Sequence, residues 1–363
     1  MSAVSQLEDR SPDAAGPNAV DVNAAWRSAL PSPGELRLAR RKLHRKAAVI
    51  AILTGVSYFV LVIAETALLS RLIAAAVLVF ALIALGTSVM HDANHGAFST
   101  RRWVNRTLAY TSDLLGASSW LWRAQHNQLH HANANVAGFD ADLELAPWAR
   151  LAPSQPWKRR YRWQHLYIWP LYGFMPLKNL LVSDLLSIVH ARIGQQPLRH
   201  SVTPRVVVHI VLGKASHLIW AVAIPLYFNP WQNVLAFYLA CSAAVGIALA
   251  IIFQLAHCVE DAAHPPADAP RRGEAFIAHQ LRTTVNIDSP TPVIGHVFRW
   301  LAGGLDHQIE HHLAPSLPHT AYPRVGARFR ALCLAHGIDY HVHRSIAAAL
   351  GSHTRWLRTM GQP

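Results

Sequence analysis

Four apolar stretches, 47–69, 72–90, 206–228 and 231–253, fall into two pairs, each joined by a break of only two residues, Ser70-Arg71 and Asn229-Pro230. A helix of about 20 such residues rises about 30 Å, the thickness of a hydrocarbon core, so each stretch can cross a bilayer once. Asn-Pro suits a tight reversal. With 52% hydrophobic and only 15% charged residues, composition also argues against an ordinary soluble domain. The expected fold is an all-α integral membrane protein, with four transmembrane helices in two hairpins.

Charge asymmetry orients these spans. Arg37, Arg40, Arg41, Lys42, Arg45 and Lys46 precede the first stretch and predict a cytoplasmic N-terminus. Thirteen Lys or Arg lie between residues 91 and 205, against Arg71 alone in the two short outer turns. Both termini and the long central segment are thus expected in the cytoplasm. Lys214 and His217 interrupt the third stretch and are expected to face the protein interior. The run Trp163–Val189, rich in aromatic residues and broken by Pro170 and Pro176, reads as a helix along the membrane surface. Residues 1–34 read as a disordered tail and 346–363 as a C-terminal tail, flanking one domain over 35–345. The formal charge of +13 forms no nucleic-acid-binding stripe, and membrane lipids are the expected partner. Three cysteines without a CxxC pair leave a disulfide scaffold and a zinc ribbon unsupported. No cleavable signal peptide is apparent.

Three histidine clusters lie beside these stretches: His91-Asp-Ala-Asn-His95, His126-Asn-Gln-Leu-His130-His131 and His307-Gln-Ile-Glu-His311-His312. An i, i+4 pair stacks two imidazoles on one helix face, where they can share a transition metal. By the span count every cluster falls on the cytoplasmic side, which a single site requires. Four ligands satisfy one zinc ion, so eight or more imidazoles suffice for two metals. Few carboxylates lie among them, which disfavours calcium and magnesium and leaves iron, manganese, copper and zinc. Two irons could activate O2 and attack an unactivated C–H bond, chemistry that no side chain performs alone.

The boxes and their flanks, Met90-HDANHGAFS99, Trp122-Arg-Ala-Gln-HNQLHHANAN135, Gly138-Phe-Asp-Ala-Asp142, His279-QLRTTVN286 and Gly303-Gly-Leu-Asp-HQIEHHLAPSLPH319, resemble those of the membrane fatty acid desaturase superfamily over about residues 47–345. The resemblance implies a helical membrane fold with a cytoplasmic cap, a nonheme diiron centre using O2, and a narrow tunnel for an acyl chain. By motif match, His91, His95, His126, His130, His131, His311 and His312 would bind metal, with His257 after the last span as the additional ligand. The third box reads as HxxxHH with His307 or as QxxHH with Gln308, the form of front-end and related bacterial desaturases. Adjacent helical residues project about 100° apart, so one of the two is expected at the metal; Gln308 is favoured and His307 competes.

Asp92, Asp140, Asp142, Asp306 and Glu310 are candidates to accept hydrogen bonds from ligand rings, and Gln280, Arg282 and Asn286 to organise the site or its entrance. Ala314 replaces the usual Phe of His-His-Leu-Phe-Pro. The implied reaction is oxygen-dependent desaturation of an acyl chain carried on CoA, acyl carrier protein or lipid, in a bacterial inner membrane. No haem motif occurs, so a separate ferredoxin or cytochrome with its reductase is expected to supply electrons. Arg101, Arg102, Lys158, Arg159 and Arg160 could dock an acidic donor or carrier. Hydroxylation or ketone formation on the same centre is the competing outcome. A non-catalytic metal sensor or transporter would need ionisable residues along the spans, and the first, second and fourth hold almost none.

Overall fold

The computed structural model describes residues 22–269, 274–288 and 292–363. Among them, four helices are long and apolar enough to cross a membrane: Pro33–Ile63, Leu68–Asn94, Pro204–Phe228 and Trp231–His257. The first starts upstream of its apolar stretch because Ser32-Pro33-Gly34-Glu35 forms a capping box. There Ser32 Oγ accepts from the Glu35 amide and the Glu35 carboxylate accepts from the Ser32 amide. The second and fourth run on past their apolar stretches into His91-Asp92-Ala93-Asn94 and His257, which places histidines on helix ends. The first helix packs along the second, and the second on the fourth. Ile52, Val56, Leu72, Ile73, Val208 and Leu212 are exposed on their outer faces, an apolar surface of the kind that lipid covers.

Lys214 and His217 of the third long helix point inward. Lys214 Nζ donates to Gly116 O and Asn179 O and pairs with Asp184, while His217 Nδ1 meets Leu114 O at 2.8 Å and its Nε2 meets Tyr238 at 2.8 Å. These contacts hold the corner at 114–118, which leads into the second histidine box. Between the second and third long helices, Trp163–Val189 is almost wholly helical. Leu166, Phe174, Leu181 and Val189 lie exposed on one side, while Ile168, Tyr172 and Asp184 are buried on the other.

Both presumed tails carry helices. Residues 1–21 lie outside the described residues, but Val22–Ala29 is helical and Trp26 packs edge-on against Phe329 at 4.9 Å. At the other end, Ile346–Met360 is a helix whose first turn is capped by Ser345 and whose Ala349, His353 and Leu357 are buried. Their apolar residues sit among Arg, His and Ser, so neither helix shows as an apolar run. The Gly303-Gly304 pair brings the third box against the first. At φ +61° a Cβ on Gly303 would lie 2.5 Å from Thr87 O, and at φ +81° one on Gly304 would lie 2.6 Å from the His319 Cβ. Only glycine satisfies both the left-handed backbone and the approach.

Candidate metal centre

Local helix geometry decides how each box presents its rings. A π-helical stretch, Leu85–Met90, precedes His91, and a short α-helical turn, His91–Asn94, follows, so the His91 and His95 rings meet edge-on at a centroid distance of 4.7 Å. The second box lies in a π-helix, Arg123–His130, where the His131 amide bonds to His126 O, an i to i+5 step. The wider turn aligns residues five apart, and His126 Nε2 and His131 Nε2 come within 3.2 Å. The third box runs from His307, at the N-cap, into the helix Gln308–Leu313, and His257 ends the fourth long helix.

These four elements converge. The ring nitrogens of His91, His95, His126 and His311 lie within 4.8 Å of one another, and those of His130, His257 and His312 do the same. His131 stands between the groups, sharing a third cluster with His311 and His312. Seven of the eight residues are buried and His95 is half-buried. His91, His95, His257, His311 and His312 each hold a buried Nε2 with no hydrogen-bond partner. Lone pairs facing one another without donors are costly unless a cation joins them. Two adjacent groups of imidazoles fit two borderline transition-metal ions on ligand type and number.

The opposite edges of these rings are held by the protein. His130 Nδ1 meets both oxygens of Asp140 at 3.1 and 3.0 Å, with Asp142 at 3.4 Å. His257 Nδ1 faces Thr283 O, His312 Nδ1 faces Gln280 Oε1 and His311 Nδ1 faces the Tyr322 hydroxyl at 3.4 Å. Holding Nδ1 leaves Nε2 for a metal and fixes the ring plane. Gln280 also donates to His131 O, tying box two to box three. Burial, reinforced by neighbouring imidazoles, holds His95, His126, His131, His311 and His312 well below the ordinary histidine range, in the neutral form that binds metals. Burial also opposes charge on His130, but Asp140 and Asp142 outweigh it and push its pKa up to about 9.

The remaining carboxylates act one step further out. Asp92 accepts from the His319 amide and faces His319 Nδ1, and lies 3.8 Å from the His91 ring. Asp306 pairs with Arg299. Glu310, fully buried, accepts from Asn286 Nδ2 and the Tyr340 hydroxyl, while Asn286 Oδ1 accepts from the Ile309 amide. Asn286 and Glu310 therefore brace the helix that carries His311 and His312. His307 precedes that helix, and its ring lies 3.7 Å from Glu310 and 3.8 Å from Asp306, outside the metal-sized groups. Gln308 is buried with its Nε2 unpartnered, and by spacing shares a face with His311 and His312. Arg282 is exposed, and its carbonyl accepts from the Ala263 amide. The Ala314 carbonyl accepts from Tyr322.

Sequence reasoning passed over Asn135, Thr283, His319, Tyr322 and Tyr340. Asn135, at φ +61°, is fully buried and its Nδ2 contacts the carbonyls of His257, Ala263 and Thr283. A single polar residue that gathers three distant carbonyls leaves no local pattern. Between the four long helices lies a cavity of ≈ 340 Å³, lined by Leu78, Leu82, Phe237 and Val245, with Arg71 and Asn229 also on its wall. The Leu115 and Leu249 side chains both lie against Gly86, which falls between Leu82 and His91 on the second long helix.

A family model described as fatty acid desaturase matches residues 66–344. An sn-1 linoleoyl-lipid 6-desaturase of Synechocystis sp. is 33% identical over 298 residues, covering 80% of this chain and 81% of that protein. The sn-1 linoleoyl-lipid 6-desaturase of Arthrospira platensis is 29% identical over 325 residues, 88% of this chain and 85% of the other. An acyl-lipid (8-3)-desaturase of Physcomitrium patens is 31% identical over 281 residues, 76% of this chain and 58% of its own.

Proposed function

Because this chain belongs to the fatty acid desaturase family and is an oxidoreductase of that kind, we propose that it is a diiron acyl-lipid desaturase acting at the cytoplasmic face of a bacterial inner membrane. The observation that carries this reading is the pair of imidazole groups with orphaned Nε2 atoms at the ends of apolar helices. His91, His95, His126 and His311 would hold one iron, His130, His257 and His312 the other, with His131 between them and Gln308 favoured over His307 as the further contact.

Bound iron supplies the O2 activation needed to take two hydrogens from adjacent methylenes. With two electrons and two protons from outside, O2 and those hydrogens leave as two waters. The chain's own residues do the rest. Asp140, Gln280 and the Thr283 carbonyl hold ligand rings in register, and burial of the cluster excludes bulk water. The apolar cavity between the long helices suits the methyl end of an acyl chain, which would reach the metals past Leu115 and Leu249. A lipid-linked chain is favoured over CoA or acyl carrier protein because the relatives are named for lipid substrates.

The proposed topology is two hairpins with both termini cytoplasmic, a helical cap over the metals, and Trp163–Val189 at the interface with its exposed apolar side in lipid. Electrons would come from a separate ferredoxin or cytochrome with its reductase. Arg101, Arg102, Lys158, Arg159 and Arg160 are all exposed and available for docking. Expression in a host of defined fatty acid content, with double bonds located by mass spectrometry, tests the reaction. His130→Ala and His311→Ala should each abolish the new double bond while the protein stays in the membrane. Full activity in both variants would overturn the assignment.

A further inference from the structure

The last turn of the fourth long helix carries His257, and its three final carbonyls are satisfied from three different parts of the chain. Ala256 O accepts from the Val285 amide, His257 O from Asn135 Nδ2 and Cys258 O faces His353 Nδ1 at 2.6 Å. Terminal helix carbonyls have no partner within the helix, so these outside groups fix where the turn ends and how His257 leaves it. His353 belongs to Ile346–Met360 and is fully buried. Facing a carbonyl, its Nδ1 must carry the proton, so Nε2 is an acceptor. Tyr172 OH lies 2.9 Å from that Nε2 and donates to it.

Neighbouring contacts strengthen the attachment. Ser352 Oγ accepts from the Glu260 amide and Arg355 pairs with the Glu260 carboxylate, so residues 352, 353 and 355 of one helix together hold 258–260. Tyr172 sits on Gln164–Gly173, whose outer side exposes Leu166. A continuous series of hydrogen bonds therefore leads from the surface-lying helix to the backbone immediately after His257.

We propose that His353 is a positioning residue for the metal ligand His257, with Tyr172 selecting the tautomer that lets it hold the Cys258 carbonyl. This rests on His257 being an iron ligand, and the test separates the two claims. Full-length protein in detergent is stripped of metal and titrated anaerobically with Fe(II), and in parallel with Co(II), whose visible spectrum reports coordination. His353→Ala should weaken one of the two sites by about 10- to 100-fold, the range for losing a group that orients a ligand, and change the Co(II) spectrum. His353→Asn places an amide donor near the position of Nδ1 and should rescue most of that loss. Tyr172→Phe, which frees the tautomer but keeps the ring, should cause a smaller loss than His353→Ala.

His257→Ala is the control and should lose the same site outright. Wild-type uptake of both metals by His353→Ala, beside loss of one site in His257→Ala, overturns the positioning role alone. So does a loss in His353→Asn as deep as in His353→Ala, because the donor is what the role requires. If His257→Ala still binds both metals, the ligand assignment fails and the inference falls with it. Where His353→Ala does not fold, His353→Asn and Tyr172→Phe carry the comparison.

Discussion

His307 and Gln308 are adjacent in sequence and divide at the start of one helix. The His307 ring turns to Asp306 and Glu310, whereas Gln308 is buried on the side of His311 and His312. His307→Ala should therefore leave the iron content of purified protein unchanged, while Gln308→Ala should weaken iron binding about 10-fold, at the low end for a group near a metal. Metal analysis together with product yield checks both, and iron loss confined to His307→Ala would reverse the assignment. Seven of the eight clustered histidines were legible because box spacing survives in sequence, whereas His257 lies outside the boxes and was marked only by the family resemblance. Their supports were legible only in part. Asp140 was expected against a ligand ring and lies against His130, but Asp92 and Glu310 bind His319 and Asn286, and Asn135 gathers carbonyls from segments more than a hundred residues away. Such partners depend on how the chain returns on itself, which residue type and local spacing do not encode.

Apolar stretches gave the long helices because a span is a local property of some twenty residues. The π-helical turns were not legible, since no residue type marks the i to i+5 step. Helical wheels at 3.6 residues per turn place His126 beside His130, and those rings do stack at 5.1 Å, but only the wider turn also brings His131 Nε2 within 3.2 Å of His126 Nε2. The helices at 22–29 and 346–360 do not stand out in sequence because each buries only a few apolar side chains, and their fit to the rest of the chain is a tertiary property. Gly303 is the clearest test of how elements meet. Gly303→Ala forces an alanine into the left-handed region, costing about 1–2 kcal/mol, and drives its Cβ into Thr87 O. Thermal unfolding in detergent should show a lower Tm than wild type, with iron content reduced because boxes one and three no longer meet closely. An unchanged Tm would mean that the 301–307 turn can shift without cost.

At the scale of the molecule, a buried cluster of neutral imidazoles makes the fold around it sensitive to acid. Burial holds His95, His126, His131, His311 and His312 below the ordinary histidine value, and it brings His264 and His353 down to about 4. For each, the unfolded chain titrates near about 6.5 and takes up protons first as pH falls, so folding stability declines below that value. His130 has the opposite sign. Its folded value of about 9 lies above the unfolded one, so its contribution is fully present below about pH 6.5 and is lost as pH rises through about 9. Burial opposes charge on His307 too, but Asp306 and Glu310 outweigh it and raise its pKa, so its sign is that of His130; below about pH 6.5 both contribute without slope, and the seven depressed groups set the trend. Metal-free protein should therefore lose thermal stability steadily from about pH 6.5 downward, and iron-loaded protein should resist until protons displace the metal from the rings. Melting temperatures of both forms across this range, with released iron measured at each pH, give the comparison. A metal-free protein equally stable on either side of about pH 6.5 would show that water reaches these rings and that burial does not hold them neutral.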